Sequence, residues 1–397
     1  MVHRRTLLCV TALCLALAIA GCAQPLPQET PEPVNPNPTK TVQPATPHIQ
    51  PKVTDASARW LFFGTIVFAR YTNDWSMASD LKYAYPFQNM DQFHPENYTD
   101  WIADFECPAV PGLHFTSAQE EAILSFNCDP EYLPEVAKYW TAVNLGNNHS
   151  GDQGDDGFVT TQEQLAAQGI QYFGAAHPDD IPNACNVILL TVKANLDNGN
   201  AEEYLVPFAF CGLQGVFSIL TEEEMAPVAQ YSTILPTIPW PHSGAEYQAG
   251  PDEIKTTFYR RLADLGAEMV IGNHPHWIQP TEAYNGKFIL YSLGNFIFDQ
   301  QTPPETTRSA IIDIAVTVNN PEAIQGWAAI AEQCKGDFDT CQKLVTENNL
   351  PKLDLSYAFD FHGSDDSNKL VRPASADQLA SIRARLEWDN TMVALGQ

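Results

Sequence analysis

Basic side chains are scarce in this sequence. Its 397 residues carry 21 Lys and Arg against 48 Asp and Glu, a formal net charge of −27. That balance argues against nucleic acid as a partner, because a phosphate backbone is bound chiefly through cationic contacts. Charged residues of either sign make up only 17% of the chain while 44% is apolar, which excludes a wholly disordered protein and allows one large core or two modest ones. No CxxC pair occurs, which argues against a zinc ribbon. A glycine-rich, lysine-bearing phosphate loop is also missing, so nucleotide-driven ligation would fall to another protein. The N-terminal apolar run is shorter than a comfortable bilayer span.

What is present begins with that run. His3, Arg4 and Arg5 precede TLLCVTALCLALAIAG, the layout of a cleaved export signal. It closes on IAGC, small residues before Cys22, which resembles the bacterial lipobox in which that cysteine becomes the lipid-bearing first residue; the other reading is an ordinary signal with an incidental cysteine. The expected layout is a signal over 1–21 and a proline-rich disordered tether over 22–57 that holds a folded domain off a membrane surface. Loss of Arg4 and Arg5 with the signal takes the charge from −27 to about −29. Cys107, Cys128, Cys185, Cys211, Cys334 and Cys341 then remain, an even set that points to disulfides outside the cytoplasm. Sequence order invites 107–128, 185–211 and 334–341, but six cysteines allow 15 pairings and nothing selects one.

Apolar runs at 60–68, 141–146, 186–192, 203–212, 267–272, 287–294 and 309–318 read as buried strands. Helical patterns lie between several of them. In DDGFVTTQEQLAAQGI, Phe158, Leu165 and Ala166 suggest one helix face and Gly169 its stop; in a second pattern Pro251 and Asp252 open a helix that Gly266 closes. This is α/β organisation, in which ligands collect at strand ends and the loops after them. After about residue 318 the pattern weakens to helical segments, read as an extension over 319–397 packed on a core domain of 58–318.

Polar clusters fall at those strand ends. NLGNNHSGDQG supplies Asn144, Asn147, Asn148, His149 and Asp152, either a polar turn whose asparagines cap the next helix or a set offering metal ligands and a proton donor. IGNHPHW supplies His274 and His276, which share a face if the segment is extended. WPHSGAEYQ adds His242 and Glu246 from a loop, and ADFECP adds Asp104 and Glu106. Each is weak alone, since most carboxylates of an acidic chain are solvated. Together they favour a composite site for a divalent metal such as Mn, Fe or Zn.

These segments, with FFGTIVFAR, YPFQNM and the long LGAEMVIGNHPHWIQPTEAYNGKFILYSLGNFIFD, resemble the CapA-type poly-γ-glutamate capsule synthesis proteins over about residues 60–318. The resemblance implies a fold similar to calcineurin-like metallophosphoesterases: a layered sheet sandwich flanked by helices, here with a helical C-terminal extension. It implies metal ligation by Glu106, Asn148, His242, His274 and His276, with His149 as general acid for a leaving oxygen. Arg70 would hold a phosphate or carboxylate, and Ser292 and Asn295 would border the pocket. Two departures stand out. Thr65 replaces the family's first aspartate, and Asn273 stands where histidine is frequent; Asp104, where the family usually has asparagine, would return part of the lost charge. One firmly held metal and a weak or absent second one are therefore expected.

The implied function is that of an exported lipoprotein on the outer face of the cytoplasmic membrane. It would handle an anionic envelope polymer or phosphorylated substrate beside membrane-bound capsule synthesis partners. The alternatives are a catalytically impaired protein that binds polymer or partner, and a general secreted phosphoesterase.

Overall fold

The structure is a computed structural model that describes residues 51–335 and 337–397. The export signal and the lipidation expected at Cys22 lie outside the described residues. Among the described residues no helix is long and apolar enough to cross a membrane.

The first strand, β1 (Val53–Ile66), explains why its sequence reads as an unbroken apolar run. Trp60 and Phe62 join one core with Phe208, Phe210 and Trp240, while Leu61 and Phe63 join a second with Trp101, Trp140 and Phe296. Successive side chains of a strand alternate in direction, so a central strand covered on both faces must be apolar at every position. Its first residues correct an expectation: the strand starts at Val53, inside the stretch read as tether. There only one face is buried, giving Val53 and Ala56 inward and polar residues outward, a pattern too sparse in large apolar groups to stand out.

Parallel to β1 run β2 (Asp100–Phe105), β3 (Ala142–Asn144) and β4 (Gln171–Phe173). The start of β1 pairs antiparallel with β5 (Cys185–Leu196), which continues to β6 (Ala201–Gly215) and its parallel neighbour β7 (Thr237–Ser243). A separate sheet is ordered β8 (Met269–Ile271), β10 (Lys287–Leu293), β9 (Ile278–Tyr284), with β8 and β10 parallel. An isolated parallel bridge between His242 and Asn273 joins the end of β7 to the chain leaving β8. Short β11 (Asn295–Ile297) pairs with the end of β1. The result is the expected α/β layering with helices around a curled sheet. The C-terminal ends of β1, β2 and β3 share one edge.

The helix Gly154–Ala167 ends at Gly169, whose φ is +76°, and Glu253–Asp264 begins at Asp252, whose side chain accepts from the Lys255 amide at 2.8 Å. Both follow the expected stops and starts. Ala166 does not face inward as expected: it is exposed, and Phe158, Thr161 and Leu165 form the buried face.

After residue 318 the chain is helical at Ile324–Cys334, Phe338–Glu347, Ala376–Arg385 and Trp388–Leu395. It also returns to the sheet, as β13 (Leu355–Asp365) antiparallel to β12 (Arg308–Val318), followed by β14 (Arg372–Pro373). Alternate exposure along β13 breaks its apolar signal. Three disulfides, Cys107–Cys128, Cys185–Cys211 and Cys334–Cys341, close in sequence order; the second joins residues directly paired between β5 and β6.

Asp313 on β12 clamps the sheet. It accepts from Arg59 Nε at 2.9 Å and Nη2 at 2.6 Å, from the Tyr98 hydroxyl at 3.1 Å, and lies 3.3 Å from His362 Nε2 on β13. Burial alone would raise its pKa, but hydrogen bonds from His362, Arg59 and Tyr98 outweigh that and hold it down at about 2. A carboxyl depressed in the folded state adds stability that is present above its unfolded pKa, about 3.9, and is lost as pH falls through the folded value. Asp313→Asn is therefore expected to cost about 1–3 kcal/mol at pH 7, the scale of hydrogen bonds to a charged group. In thermal melts across pH, the gap to the parent protein should shrink below about pH 4 and close near pH 2.

Candidate metal centre

β2 delivers two carboxylates to the shared strand edge, and the structure gives them different tasks. Asp104 is fully buried and accepts at every side: from Asn144 Nδ2 at 3.0 Å, His242 Nδ1 at 2.9 Å, Asn273 Nδ2 at 3.0 Å and, at 3.4 Å, the Thr65 hydroxyl. Oδ2 takes three of these bonds and Oδ1 one, so the carboxylate is spent on the residues around it and faces an imidazole.

Glu106 is the opposite case. It is also fully buried, yet neither of its oxygens has a hydrogen-bond partner among the described residues. His242 Nε2 stands 3.3 Å from Oε1, near enough for charge attraction without hydrogen-bond geometry. An ionised carboxylate in such a place is costly unless a cation meets it.

Two imidazoles meet Glu106. His242 Nδ1 meets Asp104, so Nε2 is the nitrogen turned to the site, where it faces His274 Nδ1 at 3.2 Å. One ligand atom from each of Glu106, His242 and His274 lies within 4.8 Å of the others, all three residues buried. A carboxylate behind a histidine, fixing its tautomer, is the usual support of a metal-bound imidazole. The three residues fit a divalent cation by donor chemistry and by the unfilled lone pairs of Glu106.

Protonation shows what an ion would replace. Burial disfavours charge on His242, but Asp104 and Glu106 overcome it and push the imidazole up to about 9, so without an ion a proton on Nε2 faces Glu106, and a bound cation would take that proton's place. Glu106 is resisted by burial and held well below the carboxylate range by His242 and, less, by His276 and His149. Burial, then the charges of His242 and His276, push His274 well below its ordinary value, leaving it neutral as a ligand must be.

The histidine pair is not extended, as the sequence suggested. His274 and His276 adopt φ of +97° and +60°, left-handed backbone that costs non-glycine residues about 1–3 kcal/mol each and clusters at functional sites. The turn separates their tasks. His274 joins Glu106 and His242, while His276 turns Nδ1 to Asn295 Oδ1 at 2.9 Å, its ring centroid 6.0 Å from that of His274.

The other expected residues divide similarly. Asn148 Oδ1 is buried without a partner among the described residues. His149 passes Nδ1 to Asp152 at 2.9 Å and stacks on Phe126 with centroids 4.1 Å apart. Arg70 lies over the same Phe126 ring at 4.7 Å, but its guanidinium is already paired with Asp299. Ser292 is buried and accepts from the Gly294 amide at 3.2 Å, a local turn contact. Asn295 stands behind His276 and is tied by Nδ2 to Thr306 O at 3.1 Å. His242 lies on β7, not in a loop, and Glu246 is exposed, away from the ligand atoms.

Phe126, Asp299 and the tautomer-setting use of Asp104 were not read from sequence. Aspartates two and three residues from a cluster were the available signal, but one acid among 48 carries little weight before its neighbours are known.

The model for the bacterial capsule synthesis protein PGA_cap matches residues 59–195 and 232–300, over half of the chain. The chain belongs to this family. It is 27% identical over 252 residues to the PGA biosynthesis protein CapA of Bacillus subtilis, covering 60% of this chain and 63% of that protein. It is 27% identical over 180 residues to the capsule biosynthesis protein CapA of Bacillus anthracis, 41% of each chain. A probable polyglutamine synthesis accessory protein of Mycobacterium tuberculosis is 29% identical over 217 residues, 49% of this chain and 56% of that one. The match thus spans less than two thirds of each relative's length.

Asp104→Asn offers a test of the support behind His242. Asp104 acts only through His242 Nδ1, and the substitution is expected to weaken Zn²⁺ or Mn²⁺ binding by about 10–100-fold in calorimetric titration. Unchanged affinity in a variant with an unchanged melting curve would show that the triad does not act on a metal.

Proposed function

We propose that this PGA_cap member is an envelope protein of the CapA type with a metal-dependent, phosphoesterase-like site, serving synthesis or export of an anionic polymer such as poly-γ-glutamate. A lipid on Cys22 would hold it at the outer face of the cytoplasmic membrane, beside membrane-bound synthesis partners. The names of its relatives support the pathway. The observation that carries the site is Glu106, a fully buried carboxylate whose two oxygens have no hydrogen-bond partner while His242 and His274 present nitrogen to the same space.

In this reading Glu106, His242 and His274 hold a divalent ion, with Asn148 Oδ1 as a neutral addition and His276 beside them. The ion supplies Lewis acidity toward a phosphoryl oxygen. The chain's own groups do the rest. Asp104 keeps Nε2 of His242 free for the ion. Asp152 takes Nδ1–H of His149, which leaves Nε2 to hold a proton for a departing oxygen. Asn147 Oδ1 accepts from the His149 and Ser150 amides at 3.2 and 3.0 Å and from the Ser150 hydroxyl at 3.0 Å. Those bonds fix the turn that carries His149.

A second reading, binding without turnover, is favoured by Thr65. Its hydroxyl accepts from Asn273 Nδ2 at 2.6 Å, so the two family departures bond each other and contribute no charged ligand, although Asn273 Oδ1 is buried without a partner among the described residues.

Hydrolysis of a generic phosphomonoester or phosphodiester with added Mn²⁺ separates the readings. Activity in the native protein that His274→Ala reduces at least about 100-fold, the scale of losing a catalytic electrostatic contact, is the expected outcome. Activity that appears only with Thr65→Asp would leave binding as the native role.

A further inference from the structure

Arginine in this acidic chain is almost always paired. Arg59, Arg70, Arg260, Arg261, Arg372 and Arg383 each meet a carboxylate. Arg308 and Arg385 do not, among the described residues, and the two line one cavity together with Trp277.

Three elements build that cavity. Trp277 follows His276 directly, Arg308 opens β12, and Arg385 ends the helix Ala376–Arg385. Arg308 Nε, Arg385 Nη1 and Trp277 Nε1 are all buried with no acceptor from the protein. The exception is Arg308 Nη1, which donates to Ser381 Oγ at 3.4 Å. Arg385 lies over the Trp277 ring at 5.8 Å. The one acid lining the space, Glu305, is not in an ion pair with either guanidinium. Buried guanidinium donors left without acceptors are costly, and the need they leave is for a group that only accepts.

We propose that this cavity is a carboxylate-binding subsite for an extended anionic chain. Its volume, about 30 Å³, admits one small polar group and little more. A carboxylate offers two oxygens with four lone-pair positions to the converging N–H groups, and its carbon stem meets the apolar wall of Ile278 and Ile382. A phosphate would turn further oxygens onto that wall unpaired. The subsite also answers an electrostatic difficulty. A chain of net charge −27 repels a polyanion at long range, Arg70 is neutralised by Asp299, and the unpaired guanidiniums supply local attraction beside Trp277, the residue after the histidine turn. Neither arginine falls within the residues matched by the family model, whereas Trp277 and Ile278 do, so the charge of the subsite is added to the family's matched segment from outside it. Placing an acidic polymer's carboxylate there rests on the proposed function above; the unpaired pocket does not.

Calorimetric titration of the whole protein with γ-linked tetraglutamate, at roughly 50 mM salt where charge attraction is weakly screened, tests the proposal. Native protein should bind both with and without EDTA. Arg308→Gln and Arg385→Gln should each weaken binding about tenfold or more, the scale of a charge-assisted hydrogen bond, with metal content and melting curve unchanged. Arg385→Lys keeps the charge but not the fork and should also weaken binding; it decides the matter should the glutamine variants not fold. Inorganic phosphate at equal concentration should not displace the oligomer. No binding by native protein, native affinity in the variants, or displacement by phosphate would each overturn the subsite. A His274→Ala protein separates the two ideas: loss of hydrolysis with retained tetraglutamate binding keeps the subsite independent of the metal reading, and loss of binding in that variant would count against it.

Discussion

A buried carboxylate has to be satisfied, and the arrangement of this protein's functional edge follows from how Asp104 achieves it. No water-facing surface is available to it, so its lone pairs must be filled from within. The donors come from the end of β1 through Thr65, from β3 through Asn144, from β7 through His242 and from the turn after β8 through Asn273. Four strand ends from two sheets are thereby drawn to one point. Moving any of them would strip a donor from a buried charge. The register bridge between His242 and Asn273 is the backbone expression of the same constraint.

Close approach of the backbones is the second half of that constraint. A side chain at Gly146 would put its Cβ 2.3 Å from the Gly212 carbonyl carbon, and one at Gly212 would lie 2.1 Å from Asn144 Oδ1. The end of β3 can therefore reach the end of β6 only because both positions lack a Cβ. With the strands that near, Asn144 bonds Asp104 through Nδ2 and the Gly146 amide through Oδ1, so it serves as a brace and not as a ligand.

Legibility in the sequence followed the number of independent signals each feature left. Double-sided burial made residues 60–68 and 310–316 visible, since nearly every position there is apolar. It failed for Val53–Ser57 and for β13, whose alternation placed small or polar residues on the outer face. Helix ends were readable where a capping aspartate and a left-handed glycine bracket the segment, as at Asp252 and Gly266. For the site, Glu106, His242 and His274 were named from motif positions, and the structure places their ligand atoms together. The division between His274 and His276 was not readable, because it depends on positive φ in a proline-separated pair that has an extended alternative. Partners distant in sequence were likewise invisible. Nothing at Arg70 announces that Asp299, 229 residues away, holds its guanidinium.

The departures at Thr65 and Asn273 gain a physical meaning from the same geometry. The carboxylate that the family carries at the end of β1 is here one strand over, at the directly paired residue Asp104, where it faces an imidazole. In the proposed site, charge of that kind would reach a metal through His242, strengthening nitrogen ligation without adding an oxygen ligand. The primary set is then one carboxylate and two imidazoles, suited to a single borderline divalent ion. A second ion would need a bridging oxygen. Asp104 Oδ2 already accepts three bonds and Oδ1 is held by Asn144, and Thr65 gives its hydroxyl to Asp104 and Asn273. In the proposed site the swap therefore weakens the second metal position while leaving the first one intact. The charge is retained, but the position from which it acts has changed.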